Sequence, residues 1–135
     1  MNSNDPASVI FESDLTFRVW KYGIGHSQLL LRSASDESPC DEVDLLFEGV
    51  AAMRLTMRYE ALKLHSVDEE EFRDVFAGSG VDEKWRESFV IVRLASRSGG
   101  GYVQCARITA ERRPGDSAPG PDPVGSRDIL WSLRP

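Results

Sequence analysis

A chain of 135 residues, 41% of them hydrophobic and 28% charged, has the size and composition of one globular domain with its own core. Its formal net charge is −6 and its arginines are spread out, so the sequence lacks the contiguous basic surface that nucleic-acid binding requires. No apolar run approaches the roughly 20 residues that cross a bilayer, and the first residues do not read as a secretion signal. We therefore expect a single cytoplasmic domain, residues 1–135, that binds neither nucleic acid nor a membrane.

The chain between Leu15 and Ser33 predicts a β-hairpin, because apolar and polar residues alternate on both sides of a glycine-containing turn. The alternating apolar residues are Leu15, Phe17 and Val19 before the turn, and Leu29 and Leu31 after it.

Two features of this hairpin leave its detail open. Gly23 and Gly25 are expected to supply the positive φ angles of the turn. Trp20 and Tyr22 fall out of phase with the first apolar face, which indicates either a β-bulge or a sheet end that is covered on both faces.

Further strands are expected after an acidic loop at about residues 34–42. In "VDLLFEGVAAMRL" the alternation shifts register at Gly49, which is typical of either a second hairpin or one long bent strand with a bulge. The next segment, "EALKLHSV", predicts a strand with Leu62 and Leu64 on its inner face.

The segment "DEEEFRDVFAG" predicts an amphipathic helix at about residues 69–77. Phe72, Val75 and Phe76 form its apolar stripe. Asp68 is placed to cap the amide of Glu71, and Gly78 to take a left-handed stop. "VDEKWRE" is expected to add a helical turn with Trp85 facing inward.

The C-terminal part of the chain returns to strands. "SFVIVRLAS" and "YVQCARITAE" predict a hairpin through "RSGGG", a Pro/Gly-rich loop follows at 114–125, and "DILWSLRP" predicts a last strand that docks through Trp131. Strands, one helix and more strands, without βαβ alternation, predict an α+β, mostly β fold. We expect an antiparallel sheet, sandwich or partly open barrel of about seven or eight strands.

The sequence offers no constellation that predicts catalysis. The glycines of "GIGH" lead into a strand rather than a helix, so the helix dipole of a phosphate-binding loop is missing. His26 and His65 have no local partner motif, and Cys40 and Cys105 have no metal-ligand spacing, so both cysteines are interpreted as reduced thiols. We predict no catalytic residue, no metal site and no cofactor.

Six residues are nevertheless candidates for binding. Trp20 and Tyr22 are aromatic residues out of phase with the core, which favours an interface role. Arg54 and Arg58 lie between apolar residues and are suited either to an acidic ligand or to covering the outer face of a strand. His26 and His65 complete the set, because the alternative function places a pocket near them and Trp20.

The runs "FRVWKYGIGHSQLLLRS" and "VDLLFEGVAAMRL" resemble a pattern in small bacterial β-rich proteins of uncharacterised function, over roughly the first 60 residues. In size and charge the chain also resembles immunity proteins, which neutralise a toxin by binding it. The missing catalytic constellation, the net acidity and the out-of-phase aromatic residues favour a non-catalytic protein that binds another protein. A further hypothesis is that it binds itself, as a homodimer through a sheet edge. The alternative is a small-ligand-binding β-barrel or small enzyme with a pocket near Trp20, His26 and His65.

Overall fold

The computed structural model describes residues 8–33, 42–113 and 128–135. These residues form two antiparallel sheets that pack face to face, with one α-helix on the outside of the smaller sheet and no closed barrel. The α+β, mostly β fold and its antiparallel sandwich architecture are therefore confirmed. None of the described helices is long and apolar enough to cross a membrane.

The described residues contain eleven strands, more than the seven or eight expected. In chain order the strands are β1 (Val9–Glu12), β2 (Thr16–Gly23), β3 (Gln28–Ser33), β4 (Glu42–Glu48), β5 (Ala52–Arg54), β6 (Arg58–Glu60), β7 (Lys63–Ser66), β8 (Val90–Ala95), β9 (Gly100–Cys105), β10 (Arg107–Arg113) and β11 (Asp128–Leu133). The five-stranded sheet has the order β1-β7-β8-β9-β5. The six-stranded sheet has the order β11-β10-β4-β3-β2-β6.

The core lies between the two sheets and is built from the inward-facing residue of each alternating pair. Tyr59 is the largest fully buried side chain in the part of the chain that the structure describes. Its hydroxyl donates to the carbonyl oxygen of Gly100 at 3.3 Å and accepts from the amide of Thr56 at 2.9 Å. Because β6 and β9 belong to different sheets, this buried hydroxyl also ties the two sheets together.

One long antiparallel ribbon runs through both sheets. Its two chains pair as β4 with β10 in the six-stranded sheet and continue as β5 with β9 in the five-stranded sheet. Both chains bend at Gly49, which has a φ of +67°, and Ala106, whose amide donates to the carbonyl oxygen of Glu48 at 2.9 Å. Of the two alternatives at Gly49, the bent strand is therefore the one observed, and "YVQCARITAE" is likewise divided between two sheets.

The hairpin of β2 and β3 is confirmed, and its register explains the phase shift of its aromatic residues. Val19 lies opposite Leu31, and Lys21 lies opposite the next residue, Leu30, so Trp20 is the extra residue of a β-bulge. The turn is a short 3₁₀ helix, Ile24–His26.

The left-handed residue of this turn is Ser27, at a φ of 50°. The expected positive φ at Gly23 and Gly25 is wrong: Gly23 is extended, at a φ of −102°, and Gly25 belongs to the 3₁₀ helix. The tight helical turn removes the need for a glycine-specific conformation at either position.

The predicted helix is α1 (Glu69–Gly78), and Asp68 caps it by accepting a 2.8 Å hydrogen bond from the amide of Glu71. The left-handed glycine that follows is Gly80, at a φ of +77°, rather than Gly78. The side-chain Nε2 of Gln104 on β9 donates to Ser79 Oγ at 3.2 Å, which holds the end of α1 against the five-stranded sheet.

The helical turn after α1 is a 3₁₀ helix, Glu83–Ser88, and Trp85 on it faces solvent instead of the core. Its neighbour Arg86 takes the inward position. The Arg86 guanidinium pairs with Glu69 and lies 5.0 Å over the ring of Phe72, so a salt bridge and a cation–π contact replace the expected apolar packing.

The last strand docks as expected, as the edge strand β11, and the Trp131 ring lies 6.1 Å from that of Phe11. The residues predicted to form the Pro/Gly-rich loop, 114–125, lie outside the described residues, as do Cys40 and residues 34–41 of the acidic loop.

A methyl group at Gly101 is expected to destabilise the fold, because it would overlap the backbone carbonyl oxygen of Arg54 on the neighbouring strand. We predict that Gly101→Ala lowers the free energy of unfolding by about 1 to 3 kcal/mol in urea titrations. Gly78→Ala is the control, since this helical glycine faces open space; it should stabilise by about 0.5 to 1 kcal/mol. Equal effects of the two substitutions would contradict this account.

Candidate functional site

The six candidate binding residues fall into two groups on different sheets. Trp20 and Tyr22 on β2, His26 in the adjoining turn and Arg58 on β6 belong to the six-stranded sheet. The other two, Arg54 on β5 and His65 on β7, belong to the five-stranded sheet. The structure thus brings Trp20, Tyr22 and His26 to the turn end of β2 and places Arg58 opposite Arg18 on the same sheet. Arg54 and His65 line two separate grooves on the five-stranded sheet.

The first surface lies along the second half of β2. Strand β6 pairs with β2 only at residues 16–18, and one further hydrogen bond joins the Val19 amide to the carbonyl oxygen of Met57 at 3.1 Å. Beyond Val19, no described strand pairs with the outer side of β2. Lys21, Tyr22 and Gly23 pair with β3 on one side, and residues 20–23 have no described strand on the other side. We call this surface the β2 edge and define it by Arg18, Trp20, Lys21, Tyr22, Ile24, Met57 and Arg58.

Large apolar side chains are exposed along the β2 edge. Trp20 is 54% exposed, Ile24 83% and Met57 71%. Tyr22, at 38%, is less open, because it lies opposite the buried Leu29 and so points to the core side of the sheet at its end. Exposed aromatic and apolar residues beside an unpaired strand edge are typical of protein-binding surfaces.

The β2 edge is also basic, although the whole chain is acidic. Arg58, Arg18 and Arg32 lie directly opposite one another on β6, β2 and β3, so three like charges form one cross-strand row. Such pairs destabilise a sheet unless their charges are balanced. Arg58 pairs with Glu60 at 3.0 Å, whereas Arg18, between the two other arginines, has no partner among the described residues. The row therefore carries positive charge that the described part of the protein leaves uncompensated.

Trp20 is held in place by the third arginine of this row. The Arg32 guanidinium lies 5.0 Å from the centroid of the Trp20 ring. Arg32 is itself fixed by Asp44, to which Nε donates at 2.9 Å and Nη2 at 3.1 Å. Asp44 is only 2% exposed, so this two-pronged salt bridge is mostly shielded from water. An exposed tryptophan that is already ordered loses little entropy when a partner covers it.

The second surface is a groove between α1 and the outer face of the five-stranded sheet. Arg54, Tyr102, Arg93 and His65 lie opposite one another in one row across β5, β9, β8 and β7. The first three line a groove of about 500 Å³ together with Glu71 and Val75 of α1. We call this the α1 groove; Leu55, Thr56, Leu94, Gly100 and Gly101 complete its lining.

The two histidines do not come together. His26 is exposed at the end of β2, whereas His65 lines a separate surface groove of about 560 Å³ with Lys63 and Arg97. This groove contains neither Trp20 nor His26. Within residues 8–33, 42–113 and 128–135, no three His, Cys, Asp or Glu side chains are grouped so that they would hold a metal ion.

Cys105 is fully buried in the core between the sheets. Burial raises the pKa of its thiol to about 12, because a thiolate would lose its hydration there, and the nearby charge of Glu48 acts in the same direction. The thiol therefore stays protonated and unreactive at neutral pH, in agreement with its interpretation as an inert core residue.

Sequence reasoning missed Arg18, Lys21, Ile24 and Met57 on one surface, and Tyr102, Arg93 and Glu71 on the other. A local signal existed for Arg18, since it alternates with Phe17 and Val19 and must lie on the outer face. The two cross-strand rows join residues that are distant in the chain, so only strand order and register reveal them.

Comparisons of the chain with protein-family models, with curated proteins and with solved structures find no match.

Removal of the Asp44 carboxylate charge should leave the Arg32 guanidinium half-buried without its counter-charge. We predict that Asp44→Asn lowers the free energy of unfolding by about 3 kcal/mol and releases the Trp20 ring, seen as a change in tryptophan fluorescence. The control is Glu60→Gln, which removes the carboxylate of the exposed Arg58–Glu60 ion pair in the same sheet. It should lower the free energy of unfolding by less than about 1 kcal/mol. If Asp44→Asn also lowered the free energy of unfolding by less than about 1 kcal/mol, the Arg32–Asp44 salt bridge would not be the interaction that stabilises this part of the sheet.

Because of Cys105, the folded protein should become less stable relative to the unfolded chain as the pH rises into the alkaline range. A cysteine in an unfolded chain ionises near pH 8.5, whereas the folded thiol holds its proton to about pH 12, so the contribution is fully present below about pH 8.5 and is lost as pH rises toward 12. In a Cys40→Ser background, which leaves a single thiol, we expect the free energy of unfolding to fall more between pH 8 and 10 than it does after Cys105→Ala. Identical pH dependence in the two proteins would refute the assignment.

Proposed function

We propose that this protein acts by binding another protein, and that it does so by accepting an acidic, extended segment of that partner along the β2 edge. The carrying observation is the outer side of β2 at residues 20–23, which pairs with no described strand and is flanked by exposed apolar side chains and by an arginine row in which Arg18 has no ion pair among the described residues. Catalysis is not part of the proposal. A partner that is a toxin, as in immunity proteins, is one form of it, and it keeps the cytoplasmic location expected from the sequence.

The backbone supplies the first part of the interaction. An unpaired strand edge presents amide and carbonyl groups in the spacing of the next strand, so an extended segment adds to the sheet by main-chain hydrogen bonds. Residues 20–23 offer this edge in the described part of the protein. Main-chain pairing gives affinity with little sequence preference, and specificity has to come from the side chains around it.

Trp20 supplies the apolar anchor. Tryptophan is enriched among the few residues that dominate binding energies, and here its ring is more than half exposed yet already stacked on Arg32. Ile24 and Met57 extend the apolar surface along the strand and beside Val19. The partner segment should therefore carry apolar residues at alternate positions.

Charge selects an acidic partner. Arg18 and Lys21 are exposed on β2 and have no ion pair among the described residues, and Arg58 is only partly neutralised. The negative net charge of the chain would by itself attract a basic partner, but the charges at a contact decide the register and on-rate of binding. Two copies joined through this edge would bring their positive rows together, so we favour a different, acidic chain over a homodimer.

A short synthetic peptide tests this proposal directly. We predict that a peptide of about six residues in which glutamate alternates with valine binds the protein, and that the same peptide with lysine for glutamate binds at least tenfold more weakly. Binding is measured by titration calorimetry. The docking position is measured by NMR, which should show slower amide hydrogen exchange at residues 20–23 when the peptide is present.

Matched substitutions inside and outside the β2 edge test whether binding depends on this surface or on general changes in charge and apolar area. Trp20→Ala should weaken binding by tenfold or more. Trp85→Ala, at a tryptophan that is 53% exposed and has its own cation–π contact, should not. Arg18→Glu should abolish the preference for glutamate, whereas Arg73→Glu makes the same charge change on α1 and should preserve it. Equal binding of both peptides, protection at another strand edge, or self-association through β2 would overturn the proposal.

A further inference from the structure

The α1 groove has the chemistry of an anion site that is independent of the β2 edge. Two guanidinium groups, Arg54 and Arg93, flank the phenol of Tyr102 on three neighbouring strands, where directly opposed Cβ atoms lie about 5 Å apart. All three side chains line the same groove of about 500 Å³. This volume is within the range of small-molecule sites and too large for a single ion.

The charges in the α1 groove do not balance. Arg93 Nη1 donates to Glu71 Oε1 at 3.1 Å, so this guanidinium is already paired. Arg54 is exposed and has no ion pair or hydrogen bond from its side chain among the described residues. Two arginines and one glutamate leave one net positive charge in the lining, and Arg54 carries it.

The uncharged part of the α1 groove lining determines what kind of molecule, besides its charged group, the groove can hold. Gly100 and Gly101 carry no side chains, so backbone atoms form this part of the groove lining. The Tyr102 hydroxyl has no hydrogen-bond partner within the described residues and can donate to an anion beside Arg54. Leu55 and Val75 add apolar surface. The groove therefore suits a molecule with one charged end and a small apolar body.

We propose that the α1 groove binds a small organic carboxylate, with Arg54 and the Tyr102 hydroxyl holding the carboxylate group and Val75 and Leu55 contacting the apolar body. A carboxylate carries the single negative charge that balances the lining, and its two oxygens match the two donors of one guanidinium. A phosphate monoester carries nearly two charges at neutral pH and would face the carboxylate of Glu71 across the groove. The charge balance thus favours a monocarboxylate over a phosphate.

Titrations with benzoate, phenyl phosphate and the neutral benzamide test this proposal. We expect benzoate to bind, with NMR shifts concentrated at Gly100, Gly101 and Tyr102, and benzamide to bind at least tenfold more weakly. Phenyl phosphate should bind more weakly than benzoate to the unmodified protein. Tighter binding of phenyl phosphate would overturn the choice of a carboxylate, and equal binding of benzoate and benzamide would overturn the anion site.

Variants of the lining give a second, independent readout. Arg54→Gln should weaken benzoate binding about tenfold or more, while Arg97→Gln, an exposed arginine outside the groove lining, should leave it unchanged. Glu71→Gln removes the competing carboxylate and should improve phenyl phosphate binding more than benzoate binding. Unchanged affinity after Arg54→Gln, in a variant whose unfolding curve matches the unmodified protein, would refute the site. Trp20→Ala should not affect benzoate, so this test and that of the β2 edge can fail separately.

Discussion

The bend at Gly49 and Ala106 is the constraint on which the rest of the structure depends. The same two chain segments form the β4–β10 pair in one sheet and the β5–β9 pair in the other, so neither sheet can form its register without fixing the other. At the bend the two chains touch: a Cβ on Gly49 would lie 2.9 Å from that of Ala106. The positive φ of Gly49 and the small side chain opposite it allow the ribbon to fold over and enclose the core.

Enclosing the core in this way leaves each sheet with one outer face, and both candidate sites are built there or along an edge. The β2 edge is part of the six-stranded sheet, and the α1 groove lies on the five-stranded sheet beside the helix. Each contains a cross-strand row with at least two arginines, in a chain of net negative charge. The acids of the chain therefore do not mask its positive groups evenly, and net charge alone is a poor guide to what such a protein binds.

The structural features that could be predicted from the sequence are those set by residues close to one another in the chain. Alternation at Phe17, Val19, Leu29 and Leu31 located a hairpin, and Asp68 with its following acids located the start of α1, because both signals act over a few residues. At Ala106 the buried positions shift phase, from Val103 and Cys105 to Ile108 and Ala110. Such a shift is also produced by a bulge within one sheet, so it does not by itself show that the run is divided between two sheets. Trp85 was placed inward because apolar character was the only criterion, whereas the salt bridge of Arg86 to Glu69 decides the orientation. The sites were harder still: Trp20 and Arg58 were identified singly, but their joining through Arg18 required the strand order.

The β-bulge at Trp20 adds one residue that the pairing of β2 with β3 does not require. If Trp20 is left out, Val19, Lys21 and Tyr22 still alternate against Leu31, Leu30 and Leu29 without interruption. A chain shorter by this one residue would thus form a regular hairpin with the same inward side chains. The extra residue interrupts the ladder and adds a solvent-facing ring, so the sheet gains no pairing from it and its contribution lies on the outside of the molecule.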